Sequence, residues 1–265
     1  MFGTTYYGMQ ACPEKSVLIP CFHDEAYLYL RLFRQAYIQA RGIIYNAMPE
    51  MELANKVYDF TTTEQICMGI GMDTNICADA DAFRKAYRIQ KPFLLYAGRK
   101  DAGKNVHTLL RYFAEYKQRH GDSDLQLVLI GGGSIEIPAS VRDDVYDLGF
   151  VSRQDKYDAM AAAELLCQPS HNESFSLVIM ESWLCGRPVL VHSQCAVTRD
   201  FARRANGGLY FRNYFEFEGC VQYILTHPEQ ARTMGQNGGT FVRENFDWDV
   251  IVEKYRAFFA KLTEE

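Results

Sequence analysis

Apolar and polar positions along the chain switch repeatedly between a strand period and a helix period. Short apolar runs of strand length occupy 16–22 (SVLIPCF), 42–46 (GIIYN), 92–98 (PFLLYAG), 125–131 (LQLVLIG), 145–151 (VYDLGFV), 164–169 (ELLCQP), 188–193 (PVLVHS) and 207–211 (GGLYF). Between them lie helical spacings, such as Val106, Leu109, Leu110 and Phe113, then Tyr157, Met160 and Ala161. Strand, helix and strand in succession imply crossover units, hence a mostly parallel sheet covered on both faces. The expected fold is α/β and doubly wound. Three helices close the pattern, at about 213–227, 228–240 and 248–262. In the last, Ile251, Tyr255, Phe258 and Phe259 share a face, and Asp247 is the expected N-cap.

A glycine-punctuated stretch from Cys67 to Asp73 (CMGIGMD) breaks the pattern and suggests a hinge. Two strands and two helices precede it, too little for an independent doubly wound sheet. The expected division is therefore an incomplete domain over 1–65 and a complete one over 66–265, with helix 248–262 packing back on the first.

Composition narrows the function classes. With 48% apolar and 23% charged residues the chain is globular. Its net charge of -5 argues against binding a polyphosphate backbone, so no nucleic-acid partner is expected. No apolar run approaches the roughly 18 residues of a transmembrane helix. The first residues lack the basic and apolar regions of a signal peptide, which points to the cytosol, with the inner membrane surface as a peripheral alternative. The eight cysteines form no C-x-x-C pair and no zinc-like cluster with the six histidines, so reduced thiols and no metal are expected.

Three segments carry candidate chemistry. Gly98-Arg99-Lys100-Asp101-Ala102-Gly103-Lys104 follows a strand and precedes a helix, placing Arg99 and Lys104 at the carboxyl end of the sheet. It reads as a phosphate site or as an exposed basic turn. The spacing also fits G-x-x-x-x-G-K of a P-loop, but Asn105 stands where Ser or Thr would hold magnesium. Gly131-Gly132-Gly133 follows the next strand and marks either a sharp turn or a ligand meeting the backbone. Finally, 169–181 (PSHNESFSLVIME) runs from a strand end through a polar loop into a helix. Backbone N–H groups at Phe175, Ser176 and Leu177 would face an anion there, with Glu173 in the loop and Glu181 in the second turn. The plainer alternative makes Glu173 a cap and Glu181 a solvated residue.

The run from Asn172 to Glu181, followed by Gly186-Arg187-Pro188-Val189, resembles the E-x7-E signature of retaining, family 4 nucleotide-sugar glycosyltransferases with the GT-B fold. Tyr96-Ala97-Gly98-Arg99 with Lys104, the glycines after the next strand, and Leu148-Gly149-Phe150-Val151 extend the match in the same order from about residue 66 onward. The resemblance implies two Rossmann-like domains facing a cleft and a nucleoside-diphosphate sugar as co-substrate, without cofactor or metal. Gly98, Arg99 and Lys104 would then hold the diphosphate, aided by Gly132, Ser174 and the helix start at Phe175, Ser176 and Leu177. Gly149, Phe150 and Val151 would contact the base through their backbone. Glu173 would lie beside the donor sugar and Glu181 would bond the ribose hydroxyls. His23, at the end of the first apolar run, would point toward the donor sugar, so the expected catalytic set is His23, Arg99, Lys104 and Glu173.

The sequence also departs from the family. The glycine-rich loop and the early strand-helix units that bind the acceptor are not found, and Ser176 and Ser182 stand where glycine and alanine are common. The implied reaction moves a sugar to a hydroxyl of a glycan, a lipid-linked or a small-molecule acceptor. A partner chain supplying the missing segment is a further expectation. The alternatives are a non-catalytic nucleotide-sugar-binding module and a P-loop NTPase.

Overall fold

The computed structural model describes residues 3–61 and 63–263. It divides into two units, Met1–Met72 with Asn245–Glu265, and Asp73–Glu244.

The first unit begins with α1 (Gly3–Ala11), β1 (Val17–Leu18), α2 (Arg31–Tyr37), β2 (Gly42–Tyr45), α3 (Met48–Val57) and β3 (Glu64–Cys67). Its three strands are parallel in the order β1-β2-β3. Three features differ from the expectation, the first being that three helices, α1 to α3, precede Cys67 where two were expected. The run 16–22 pairs only at Val17 and Leu18, because Pro20 has no N–H to give a ladder and Cys21 turns left-handed at φ 53. Strand β3 goes unnoticed in the sequence because its EQIC pattern is half polar and half-buried throughout. The described residues of the first unit therefore form three strands, not two. The final helix, α11 (Trp248–Thr263), belongs to this unit. Asp247 caps it by accepting from the Asp249 N–H at 3.0 Å. Arg41 donates to the Leu262 carbonyl at 2.9 Å, and a side chain on Gly42 would strike the Phe258 ring at 2.9 Å.

The second unit runs through α4 (Ala80–Tyr87), β4 (Phe93–Ala97), α5 (Val106–Arg119), β5 (Gln126–Ile130), β6 (Val145–Gly149), α6 (Arg153–Ala162), β7 (Leu165–Gln168), α7 (Leu177–Leu184), β8 (Val189–His192), α8 (Ala196–Arg204), β9 (Gly208–Phe211), α9 (Tyr214–Thr226) and α10 (Pro228–Phe246). All six strands are parallel, in the order β6-β5-β4-β7-β8-β9. The expected doubly wound α/β architecture is present. Strands β4, β5, β7 and β8 are buried at every position, as covering both faces with helices requires. On one face Leu94, Tyr96, Leu127, Leu129, Leu165, Cys167 and Leu190 pack with Leu109, Phe113, Phe217 and Val221 of α5 and α9.

The strand order reverses between β4 and β7. From β4 the chain moves outward to β5 and β6, then returns to place β7 on the other side of β4. In an open parallel sheet, the crevice beyond the carboxyl ends at such a reversal is where ligands sit. The loops that meet there are 98–105 and 169–176. No helix among the described residues is long and apolar enough to cross a membrane.

Candidate functional site

The loop after β4 and the loop after β7 are tied together by side chains. Lys104 Nζ lies 2.7 Å from Glu173 Oε1, across the reversal point. Gln168, the last residue of β7, donates to the same Oε1 at 3.0 Å and is 3% exposed. Asn105 Nδ2 donates to the Pro169 carbonyl at 3.0 Å, sits 3.0 Å from His171 Nε2, and is steadied through its Oδ1 by Thr108 at 2.7 Å. Glu173 is therefore a buried partner of Lys104 and Gln168, not the helix cap of the plainer reading.

A pocket of about 410 Å³ opens beside this crevice, lined among others by Gly98, Arg99, Gly132, Phe150, Val151 and Lys156. The Arg99 side chain is largely exposed, 3.4 Å from Asp101 Oδ2. Phe150 is 87% exposed. The triple glycine has a structural reason here. A Cβ on Gly131, at φ +121, would sit 2.1 Å from the Gly98 carbonyl oxygen, and one on Gly132 would sit 2.5 Å from the Phe150 ring. The loop after β4 and the loop after β5 thus touch backbone to backbone. Lys100 seals the contact. Its side chain is fully buried, bonds the Gly131 carbonyl and pairs with Asp147 Oδ1 at 2.9 Å.

The start of α7 is the third wall. Ser176 precedes it at φ 73 and ψ 77, a left-handed position for a residue with a side chain, and makes no side-chain cap. A helix leaves its first N–H groups without intrahelical acceptors, so those of Leu177 and Val178 face outward at a point where negative charge is favoured. Ser174 is half-buried, the Phe175 ring packs on Phe201 at 5.3 Å, and Leu177 is exposed. Glu181, in the second turn, places Oε1 at 2.6 Å from Lys156 Nζ and 3.4 Å from the Tyr157 hydroxyl. Gly149 turns at φ 63 and its carbonyl accepts from the Gly131 N–H at 2.7 Å.

Thus Gly98, Arg99, Gly132, Phe150 and Val151 share the pocket, Lys104 and Glu173 close the adjoining crevice, and Glu181 is joined to the pocket through Lys156. His23 lies in the first unit, in the turn after β1, where its N–H donates to the Tyr27 hydroxyl at 3.3 Å. Sequence reasoning misses Lys100, Lys156 and Gln168. Gln168 carries a faint signal, a polar residue closing an apolar strand. The two lysines carry none, because their partners are tens of residues away.

Six buried side-chain polar atoms have no hydrogen-bond partner among the described residues, and four of them are Gln168 Oε1, Ser170 Oγ, Ser176 Oγ and Glu181 Oε2. Each such orphan costs roughly 1–3 kcal/mol. They concentrate in one stretch at the strand-order reversal. The P-loop alternative finds no support. In a P-loop the backbone N–H groups cradle phosphates, whereas here those of Gly98, Lys100, Lys104 and Asn105 are bonded to Ile130, Gly132, Asp101 and Ala102.

Residues 79–241 match the family described as Glycosyl transferases group 1. The chain belongs to this family. Among curated relatives of this chain, the trehalose synthase of Rubrobacter xylanophilus is 26% identical over 189 residues, 66% of this chain and 44% of that protein. The D-inositol 3-phosphate glycosyltransferase of Saccharomonospora viridis is 28% identical over 249 residues, 85% of this chain and 58% of that protein. The chain spans about half the length of such relatives. Among solved structures, Anabaena HepE in complex with UDP-glucose superposes with a TM-score of 0.78 at 16% identity, covering 98% of this chain and 75% of that one. That likeness bears on fold alone, and it is to the Rossmann-like GT-B class.

Proposed function

We propose that the second unit binds a nucleoside-diphosphate sugar at the strand-order reversal, and that the chain serves transfer of the sugar to an acceptor hydroxyl with retention and without a metal. The observation that carries this reading is the concentration of orphaned polar atoms from Gln168 to Glu181, which a polar ligand would satisfy. Arg99, Lys104 and the outward N–H groups at the start of α7 would hold the diphosphate. Fixed positive charge and backbone dipoles aimed at a departing diphosphate stabilise the negative charge that develops on it. Glu173 would meet the donor sugar, with Lys104 and Gln168 fixing its Oε1. Glu181 would accept from the ribose hydroxyls, and the backbone of Gly149, Phe150 and Val151 would meet the base. His23 is proposed as a further catalytic residue on the resemblance alone. Uracil is the proposed base, because two proteins of similar fold, HepE and TarM, are described in complex with UDP.

Calorimetry with UDP, GDP and ADP tests the site. Arg99→Ala, Lys104→Ala and Glu181→Ala should each weaken nucleoside diphosphate binding at least ten-fold, since a charge-assisted hydrogen bond contributes roughly 1.5–3 kcal/mol. Unchanged affinity in all three variants refutes the assignment. A second reading, a nucleotide-sugar-binding module without turnover, is favoured by one observation: every donor-site group except His23 lies in a single unit. Binding without transfer or hydrolysis of the bound sugar nucleotide would select it. The proposed location is the cytosol or the inner membrane surface.

A further inference from the structure

Lys156 stands outside every motif that the family resemblance matches, yet its ammonium is the closest partner of Glu181. It is the fourth residue of α6, a helix whose start is fixed where Ser152 accepts from the Asp155 N–H at 3.0 Å. From there it lines the pocket together with Arg153. Its Nζ sits 2.6 Å from Glu181 Oε1 and 5.0 Å from the centre of the Tyr157 ring. The Tyr157 hydroxyl donates to the same oxygen at 3.4 Å while accepting from Arg153 Nε at 2.8 Å. All of these partners gather on Oε1. The other oxygen, Oε2, is buried and accepts no hydrogen bond among the described residues.

A carboxylate held through one oxygen by an ammonium and a hydroxyl is rotationally fixed. Its second oxygen then offers its lone pairs in a single direction. A vicinal diol is the ligand chemistry that such an oxygen receives best, because two adjacent O–H donors converge on one acceptor. Without the ammonium, a carboxylate buried to this degree would lack a countercharge and would turn away.

We propose that Lys156 is the positioning residue that makes the pocket selective for ribose over deoxyribose, by fixing Glu181 with Oε2 turned to the sugar diol. This rests on the placement of the nucleoside beside Glu181 proposed above, and extends it from a glutamate that binds to a lysine that sets discrimination.

The experiment measures two affinities in the full chain, for the nucleoside diphosphate among UDP, GDP and ADP that binds it most tightly and for the 2′,3′-dideoxy form of the same compound. The ratio of the two is the readout. The wild-type chain should favour the ribose form by ten-fold or more, as loss of charge-assisted hydrogen bonds implies. In Glu181→Ala the ratio should fall to about one. In Lys156→Met it should fall at least five-fold, with affinity for the dideoxy form within two-fold of wild type, and Lys156→Arg should restore most of the ratio. Tyr157→Phe, which leaves the ammonium in place, should lower the ratio by two-fold or less.

A Lys156→Met variant that keeps the wild-type ratio while Glu181→Ala loses it overturns the proposal and leaves the site standing. A Lys156→Met variant that loses both ligands equally also overturns it, since the lysine then only supports the fold. A Glu181→Ala variant that keeps the ratio, or a wild-type chain that binds none of the three nucleotides, refutes the site itself.

Discussion

In each unit a buried ionisable side chain fastens two loops at the carboxyl ends of neighbouring strands, an acid in the first and a base in the second. In the first unit it is Glu50, 1% exposed, which accepts from the Phe22 N–H at 2.7 Å and the Asn46 N–H at 2.8 Å. These N–H groups belong to the turns after β1 and β2. In the second unit it is Lys100, which donates to the Gly131 carbonyl and pairs with Asp147. That joins the loops after β4 and β5 to β6. The acid is held by backbone dipoles, whereas the base has a full countercharge. The surroundings differ in the same sense. Of fifteen exposed large hydrophobic side chains among the described residues, ten lie in the first unit, including Ile19, Tyr29, Leu30 and Leu32, and five in the larger second unit. Three strands bury less apolar surface than six, so the small unit has less apolar burial to offset the burial of Glu50.

The largest effect is expected where the countercharge is removed. Lys100→Met leaves the Asp147 carboxylate and the Gly131 carbonyl facing an apolar side chain at the junction of two loops. Breaking a buried pair by deleting one partner typically costs about 3–5 kcal/mol. Denaturant unfolding should show a loss of that size in the transition of the second unit, with nucleotide binding weakened in parallel because Gly98 and Gly131 are no longer held together. A loss below about 1 kcal/mol would mean that glycine geometry alone builds this wall.

The next effect separates the units by pH. Burial pushes the Glu50 carboxyl up from 4.5 to about 7, outweighing the backbone N–H groups that lower it. The folded state then holds this proton more tightly than the unfolded chain does. Its contribution is fully present below pH 4.5 and is lost as pH rises toward 7, by roughly 3 kcal/mol in total. In the second unit, burial and then the neighbouring His171 lower His192 to about 4. The sign is reversed there. Stability is present above pH 6.5 and falls as pH drops toward 4, because the unfolded chain takes up the proton first. Stability profiles across pH 4–8 should show the first unit weakening on the alkaline side and the second on the acid side. Glu50→Gln should flatten the first limb and His192→Gln the second. Parallel pH profiles for the two transitions would show that the buried charges do not distinguish the units.

The contrast also marks what the sequence made legible. The second unit was readable because its strands, covered on both faces, form unbroken apolar runs such as Leu127 to Ile130, and because its motifs lie in contiguous stretches. The small unit was harder. A two-residue β1 ended by Pro20 and Cys21, and a half-polar β3 at Glu64–Cys67, offer little periodicity. The same limit applies inside the site. Arg99, Lys104 and Glu173 stand in recognisable loops, but the Lys104–Glu173 and Lys156–Glu181 pairs exist only because the strand order reverses between β4 and β7. Nothing in one-dimensional spacing encodes that Lys156 on α6 reaches a glutamate on α7. Charge alone singled out neither Lys100 nor Glu50, since burial is what gives each its role.

The smallest effect concerns strain, and it too falls on both units at equivalent places. Ser176, at φ 73 before α7, and Cys21, at φ 53 after β1, both hold left-handed conformations at the carboxyl end of a parallel sheet. A left-handed conformation costs a residue with a Cβ about 1–2 kcal/mol, while glycine gives back about 0.5–1 kcal/mol through the entropy of the unfolded chain. Ser176→Gly also deletes a buried hydroxyl that has no partner. It should therefore stabilise the second unit by roughly 1 kcal/mol, a rise of about 2–4 °C in Tm for a domain of this size. Cys21→Gly gains the same relief but loses the sulfur that accepts from Asn46 Nδ2 at 3.3 Å, so its net change should be close to zero. A Ser176→Gly variant that is destabilised would show that the serine hydroxyl is satisfied by solvent in the folded protein, and that the strain at the start of α7 is already repaid there.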